Sequence, residues 1–176
     1  VEAIGDKFII FFSEGWVDGG GVDDLGSGDD VLAAVIDSNG NILKNYIEVT
    51  RGNPRDWWPV LAVSKSKAIF VWQRFVEGKE HADLHFSIFN PATNTLSPSQ
   101  IKLVSGVEYY TYNVSYIESV DRFLVLGTYK SGGGFGYLLD TNGRVVASNT
   151  SLPAMVRESQ AIVGGTQVVQ VTSPTG

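Results

Sequence analysis

Four short apolar runs mark the chain: Phe8-Ile9-Ile10-Phe11-Phe12, Ile69-Phe70-Val71-Trp72, Phe123-Leu124-Val125-Leu126 and Val168-Val169-Gln170-Val171. Their starts lie 61, 54 and 45 residues apart. Each run is short, rich in β-branched and aromatic residues and bounded by turn formers, which is the pattern of a strand rather than a helix. A second element recurs in step with the first. Val35-Ile36-Asp37-Ser38-Asn39-Gly40, Ile88-Phe89-Asn90-Pro91-Ala92-Thr93-Asn94 and Leu138-Leu139-Asp140-Thr141-Asn142-Gly143 each carry a strand into an Asx-rich turn. Asn-Gly supplies the positive φ angles of a tight hairpin, and Asp or Asn bonds its own backbone two residues on, so Asp37, Asn90 and Asp140 are expected to be structural.

Edge strands are expected after these turns over Ile42 to Val49, Leu96 to Val104 and Val145 to Ser151. Further strands are expected before the apolar runs over Pro59 to Val63, Asn113 to Ile117 and Ser159 to Val163. The predicted unit is therefore four strands in meander order, in an all-β chain with 20 glycines and almost no helical signal. Self-similarity at this period with four strands per unit is the sequence mark of a β-propeller blade.

On Trp58-Pro59-Val60-Leu61-Ala62 through Phe70-Val71-Trp72 to Phe89-Asn90, the chain resembles β-propeller repeat proteins of the secreted type; in the third unit Leu126 stands where Trp72 does. The resemblance implies an architecture and an extracellular or cell-surface setting, not an activity. It divides one domain, 1–176, into blades of about 1–50, 57–105, 112–152 and an incomplete 159–173. That is about three and a half four-stranded antiparallel blades. Closed propellers use about four to eight blades, so the ring is expected to be completed by a second chain, a second copy or a missing fragment. The start at Val1-Glu2-Ala3-Ile4 suits a processed or excised chain.

Charge narrows the partners. A net charge of −6 and no cluster of Lys and Arg argue against nucleic acid. No apolar run approaches the roughly twenty residues of a membrane-spanning helix. With no cysteine, disulfides, thiolate metal sites and thiol nucleophiles are closed. Asn113-Val114-Ser115 and Asn149-Thr150-Ser151 fit the N-glycan acceptor pattern, which matters only on export.

In a meander blade, the second-to-third loops and the blade-to-blade loops share a face, and function concentrates in such loops. The former span Ser13 to Asp30, Arg74 to Ala82 and Tyr129 to Gly134. The latter span Arg51 to Trp58, Ser105 to Tyr112 and Leu152 to Glu158. The stretch from Asp18 to Asp30 holds five carboxylates and five glycines. Asp18, Asp23, Asp24, Asp29 and Asp30 offer the hard oxygens Ca²⁺ prefers, although the spacing is not that of an EF-hand and a solvated acidic loop is the leading reading.

Arg55, Trp57 and Trp58, echoed by Tyr109, Tyr110 and Tyr112 and then by Arg157, suit stacking on a carbohydrate or peptide ligand, or wedging blade against blade. Paired carboxylates for a carbohydrate-active hydrolase or lyase would have to come from Asp56, Glu80, Glu108 and Glu158. His81 and His85 lie four apart without a third histidine and are expected to be exposed rather than zinc-bound. The Gly132 to Gly136 run has no following helix, so it reads as a hairpin loop and not a phosphate cradle. The leading expectation is a non-catalytic extracellular binding or assembly module. The alternatives are the propeller part of such an enzyme, and a structural subunit that completes blades by strand exchange.

Overall fold

The computed structural model describes residues 1–14, 29–52, 54–157 and 159–172. Among the described residues there are fourteen antiparallel strands and one 3-10 turn, Glu118–Val120. β1 (Glu2–Ile4), β2 (Lys7–Glu14), β3 (Asp30–Asp37) and β4 (Ile42–Glu48) form a four-stranded meander. β5 (Asp56–Val63), β6 (Ala68–Phe75), β7 (Ala82–Asn90), β8 (Thr95–Leu96), β9 (Ile101–Ile117), β10 (Arg122–Tyr129), β11 (Gly134–Asp140) and β12 (Val145–Leu152) form one large sheet of order β12-β11-β10-β9-β7-β6-β5, with the short β8 beside β7. β13 (Ile162–Gly164) and β14 (Gln167–Val169) form a hairpin.

The first three apolar runs found in the sequence fall within β2, β6 and β10, and of the fourth only Val168 and Val169 fall within β14. The Asx turns form for the expected reason. Asp37 Oδ1 accepts from the backbone N–H of Asn39 and Asn41, both at 2.8 Å, and Asp140 Oδ1 accepts from those of Asn142 and Arg144 at 2.9 and 3.0 Å. Asn90 Oδ1 accepts from Ala92 at 3.0 Å. The Asn41 side-chain amide leads the bonds that hold the Asp37 carboxyl below the usual carboxylate range.

One expectation fails in an instructive way. Ser105 to Tyr112 is not a loop between units, because β9 runs unbroken from Ile101 to Ile117. Its first part pairs with β7 and its last part with β10, and Val107 is register partner to both Ala82 and Tyr129. Positive φ at Gly106 (75°) and Tyr110 (61°) turns the strand without releasing it from its neighbours. The large sheet is thus bent into two leaves. The edge strand expected from Leu96 to Val104 is interrupted between Leu96 and Ile101.

The core follows from period-2 alternation. On β6, Ala68, Phe70 and Trp72 face the first meander, where Phe11 stacks on Phe70 at 4.4 Å and Phe89 follows on the other side at 5.4 Å. Ile69 and Val71 face the other leaf and pack with Phe123, Val125, Phe135 and Leu139. β6 is therefore covered on both faces, which is why its sequence is continuously apolar where a half-exposed strand would alternate. Burying each such large side chain is worth about 1.5–3 kcal/mol.

Candidate functional site

The expected ligand residues do gather, around the start of β5, the end of β6 and the bend in β9. Trp57 and Tyr110 are buried, with Trp58, Phe75 and Tyr109 packed against them. Trp58 and Tyr110 meet edge to face, ring centroids 4.7 Å apart at 61°. Phe75 and Tyr109 lie 5.1 Å apart. The guanidinium of Arg157 sits 4.7 Å over the Tyr110 ring and that of Arg55 5.7 Å from the Phe75 ring, both within cation–π range.

Two backbone conformations make this cluster possible. Trp58 and Tyr110 both have positive φ, 56° and 61°, which bulky residues adopt only when their surroundings enforce it. The Tyr112 hydroxyl donates to the Trp58 carbonyl, and the Tyr110 N–H donates to Gln73 Oε1 at 3.0 Å. Gln73 is fully buried. A polar side chain at the end of the apolar run of β6 was the one sequence signal for this role. Burial raises the Tyr112 phenol far above its ordinary value, so that hydroxyl stays a donor.

Depth sorts the candidates. Trp57, Tyr110 and Tyr112 are buried and serve packing, whereas Trp58, Tyr109 and Arg55 are half-buried and Arg157 is exposed. Arg55, Phe75, Tyr109 and the Val76–Lys79 turn surround a cleft of about 220 Å³, and the Tyr109 hydroxyl donates to the Lys79 carbonyl at 3.0 Å across its floor. Phe75 and Lys79 were not singled out in the sequence.

The carboxylates are not assembled into an acid/base pair among the described residues. Asp56 is fully buried and its oxygens are occupied by Trp72 Nε1 (2.8 Å), Arg74 Nε (2.7 Å) and Arg74 Nη2 (2.8 Å). Glu108 lies 3.4 Å from Lys130, Glu80 is exposed on the turn before β7, and Glu158 lies outside the described residues. Of the acidic run, Asp18, Asp23 and Asp24 also lie outside them. Asp30 accepts from Thr50 Oγ1 and the Gly52 N–H. Asp29 is buried, and among the described residues neither of its oxygens finds a hydrogen-bond partner. Desolvation raises its carboxyl, against the opposing pull of Arg55. Among the described residues no three His, Asp or Glu side chains converge as a metal site.

One further expectation is corrected. His85 is buried, not exposed, because it stacks on Trp72 at 6.0 Å on the face that the first meander covers. Asn113 is also buried, its amide nitrogen donating to Ser159 O (2.6 Å) and Gln170 Oε1 (3.1 Å), so it has no room for a glycan; Asn149 is exposed on β12.

One further geometric feature organises all of this. The first strand of every unit, β1, β5, the second half of β9 and the approach to β13, lines a single cavity of about 580 Å³, bounded by Glu2, Leu61, Ser115 and Gln160 among others. Of the turns that follow these strands, the last three touch in order: Lys65 lies 3.4 Å from Glu118, and Ser119 donates to the Gly165 carbonyl at 2.7 Å. Comparison with family models, with curated proteins and with solved structures finds no match.

Proposed function

We propose that the chain is an arc of about three and a half blades of a β-propeller that serves as a non-catalytic binding and assembly module outside the cell. The observation that carries this reading is the common cavity: four first strands around one space, with the turns of the last three touching in chain order. Radial repetition of meander sheets produces that arrangement.

The binding surface is the half-exposed part of the aromatic cluster, Trp58 and Tyr109, with Arg157 over Tyr110 and the 220 Å³ cleft lined by Arg55 and Tyr109. Rings of this kind stack on the flat faces of sugars or on peptide side chains. The engagement of Asp56 with Trp72 and Arg74 favours this reading over glycoside hydrolysis, which requires two available carboxyl groups across the bond. The two-stranded β13–β14 unit supports the structural alternative, in which an added strand completes the last blade.

Titration calorimetry with neutral and uronic-acid oligosaccharides tests the binding surface. The expected result is binding that weakens at least tenfold in Trp58→Ala and Tyr109→Ala while thermal unfolding of the variants stays cooperative. Binding unchanged in both variants, or none by the parent chain, contradicts it.

A further inference from the structure

The two aromatic segments of the binding surface both leave the regular strand ladder. On β5, Trp57 is register partner of Gln73 and Val60 of Val71, so the stretch from 57 to 60 lies against the shorter stretch from 73 to 71. The extra residue makes a β-bulge at Trp58 and Pro59. On β9, Tyr112 partners Gly127 and Val107 partners Tyr129, so the stretch from 107 to 112 lies against 129 to 127. Bulges of this kind re-aim side chains and recur beside functional sites. In each bulge one aromatic takes the left-handed bend, Trp58 with φ 56° and Tyr110 with φ 61°. A bulky residue released from whatever holds it there falls back to negative φ, and its ring turns with the backbone.

Each bend is held by one buried side chain, and the two holds are reciprocal between neighbouring four-strand units. Gln73 on β6 accepts from the Tyr110 N–H of the next unit at 3.0 Å. Tyr112 of that next unit reaches back, its hydroxyl donating to the Trp58 carbonyl. Neither side chain reaches the surface: Gln73 is 0% exposed and Tyr112 2%. The bent residues then brace each other, Trp58 against Tyr110. Gln73 is an expensive way to fill space, because its Nε2 is buried with no hydrogen-bond partner among the described residues. One unit further on, Thr128 of β10 makes a similar bond, accepting from the Met155 N–H at 3.0 Å, but Met155 is not left-handed. Joining successive units is thus common to both residues, whereas fixing an aromatic in a strained bend is particular to Gln73.

We propose that Gln73 and Tyr112 are positioning residues of the binding surface. They lie beneath it and hold Trp58 and Tyr110 in the left-handed bends that give it its shape before a ligand arrives. The inference rests on the binding reading above. A surface that holds its binding shape only part of the time has its apparent affinity reduced by that fraction. Losing either bond lets a bend relax, and through the Trp58–Tyr110 contact it disturbs the other. Binding then weakens although every group that meets a sugar or a peptide is still present.

The experiment combines titration calorimetry, using the oligosaccharides named above, with fluorine NMR of chain carrying 5-fluorotryptophan, on the parent, Tyr112→Phe and Gln73→Met. Trp58→Phe assigns the Trp58 resonance. The expected result is a Kd raised about fivefold or more in each variant, with the Trp58 resonance shifted or split. Val125→Ala, which opens a cavity in the core on β10, is the control: it lowers the melting temperature and leaves both the Kd and the Trp58 resonance unchanged. A Trp58 resonance unmoved in both variants, a Kd unchanged in both, or an equal loss of affinity in Val125→Ala overturns the proposal. If the parent binds none of the oligosaccharides, the proposed ligand class fails, and the Trp58 resonance alone decides whether the two bonds position that ring.

Discussion

Asp56 and Arg74 face each other in register across β5 and β6, and the guanidinium grips both oxygens of a carboxylate that is fully buried. Trp72 Nε1 adds a third bond to the same carboxylate. The pair seals the end of the face where the first meander packs on β6. Removing one partner of a buried pair leaves the other charge stranded, at a cost of about 3–5 kcal/mol. Asp56→Ala is expected to lower the unfolding free energy by about that amount. Urea denaturation measures it, and a loss below about 1 kcal/mol would mean the pair is solvated as surface pairs are.

How much of this was legible in the sequence depends on the scale. The strands and turns were, because Phe8 to Phe12 and its three counterparts carry strand propensity locally and Asp37, Asn90 and Asp140 close their turns with their own side chains. The continuity of β9 was not, because Gly106 reads as a turn residue while its actual role is to bend a strand that stays paired on both sides. Depth was not legible either. Whether Tyr112, His85 or Asn113 lies inside depends on which sheet stacks on which face, and no local pattern encodes that. Asp56 illustrates the limit: as a letter it was a candidate acid, and only Arg74 on the next strand makes it structural.

His85 supplies a pH dependence. It lies against Trp72, its Nδ1 has no partner among the described residues, and burial first and Arg74 second push its pKa below the ordinary value of about 6.5, outweighing Asp56 and Asp83. The unfolded chain thus takes up the proton more readily than the folded one. Stability is complete above about pH 6.5 and is lost as the pH falls from there through the lowered folded value. Melting temperatures followed from about pH 7.5 to pH 5 should decline in the parent and decline less in His85→Leu. Parallel curves would contradict the assignment.

Gly134 is a glycine for want of space. A Cβ there would lie 2.3 Å from the carbonyl oxygen of Pro153, a backbone atom that cannot swing aside. Gly134→Ala is expected to cost about 1–3 kcal/mol through forced backbone shifts. Gly164→Ala, where nothing lies within 4 Å, should stay within about 0.5 kcal/mol of the parent. Equal denaturation midpoints for the two variants would contradict the packing of β11 against Pro153.

The central claim is that the first strands of all four units stand around one axis, and the turns after them report it. Asp6, Lys65, Val120 and Thr166 are exposed turn positions, one per unit, in a chain without cysteine. Pairs of spin labels at cysteines introduced there, diluted into unlabelled chain, give the separations by electron–electron double resonance. The arc predicts similar separations for 6–65, 65–120 and 120–166, longer ones for pairs two steps apart, and a 6–166 separation clearly shorter than three steps laid end to end. A 6–166 separation equal to three steps, or a label at 166 no nearer to 120 than to 6, would contradict it.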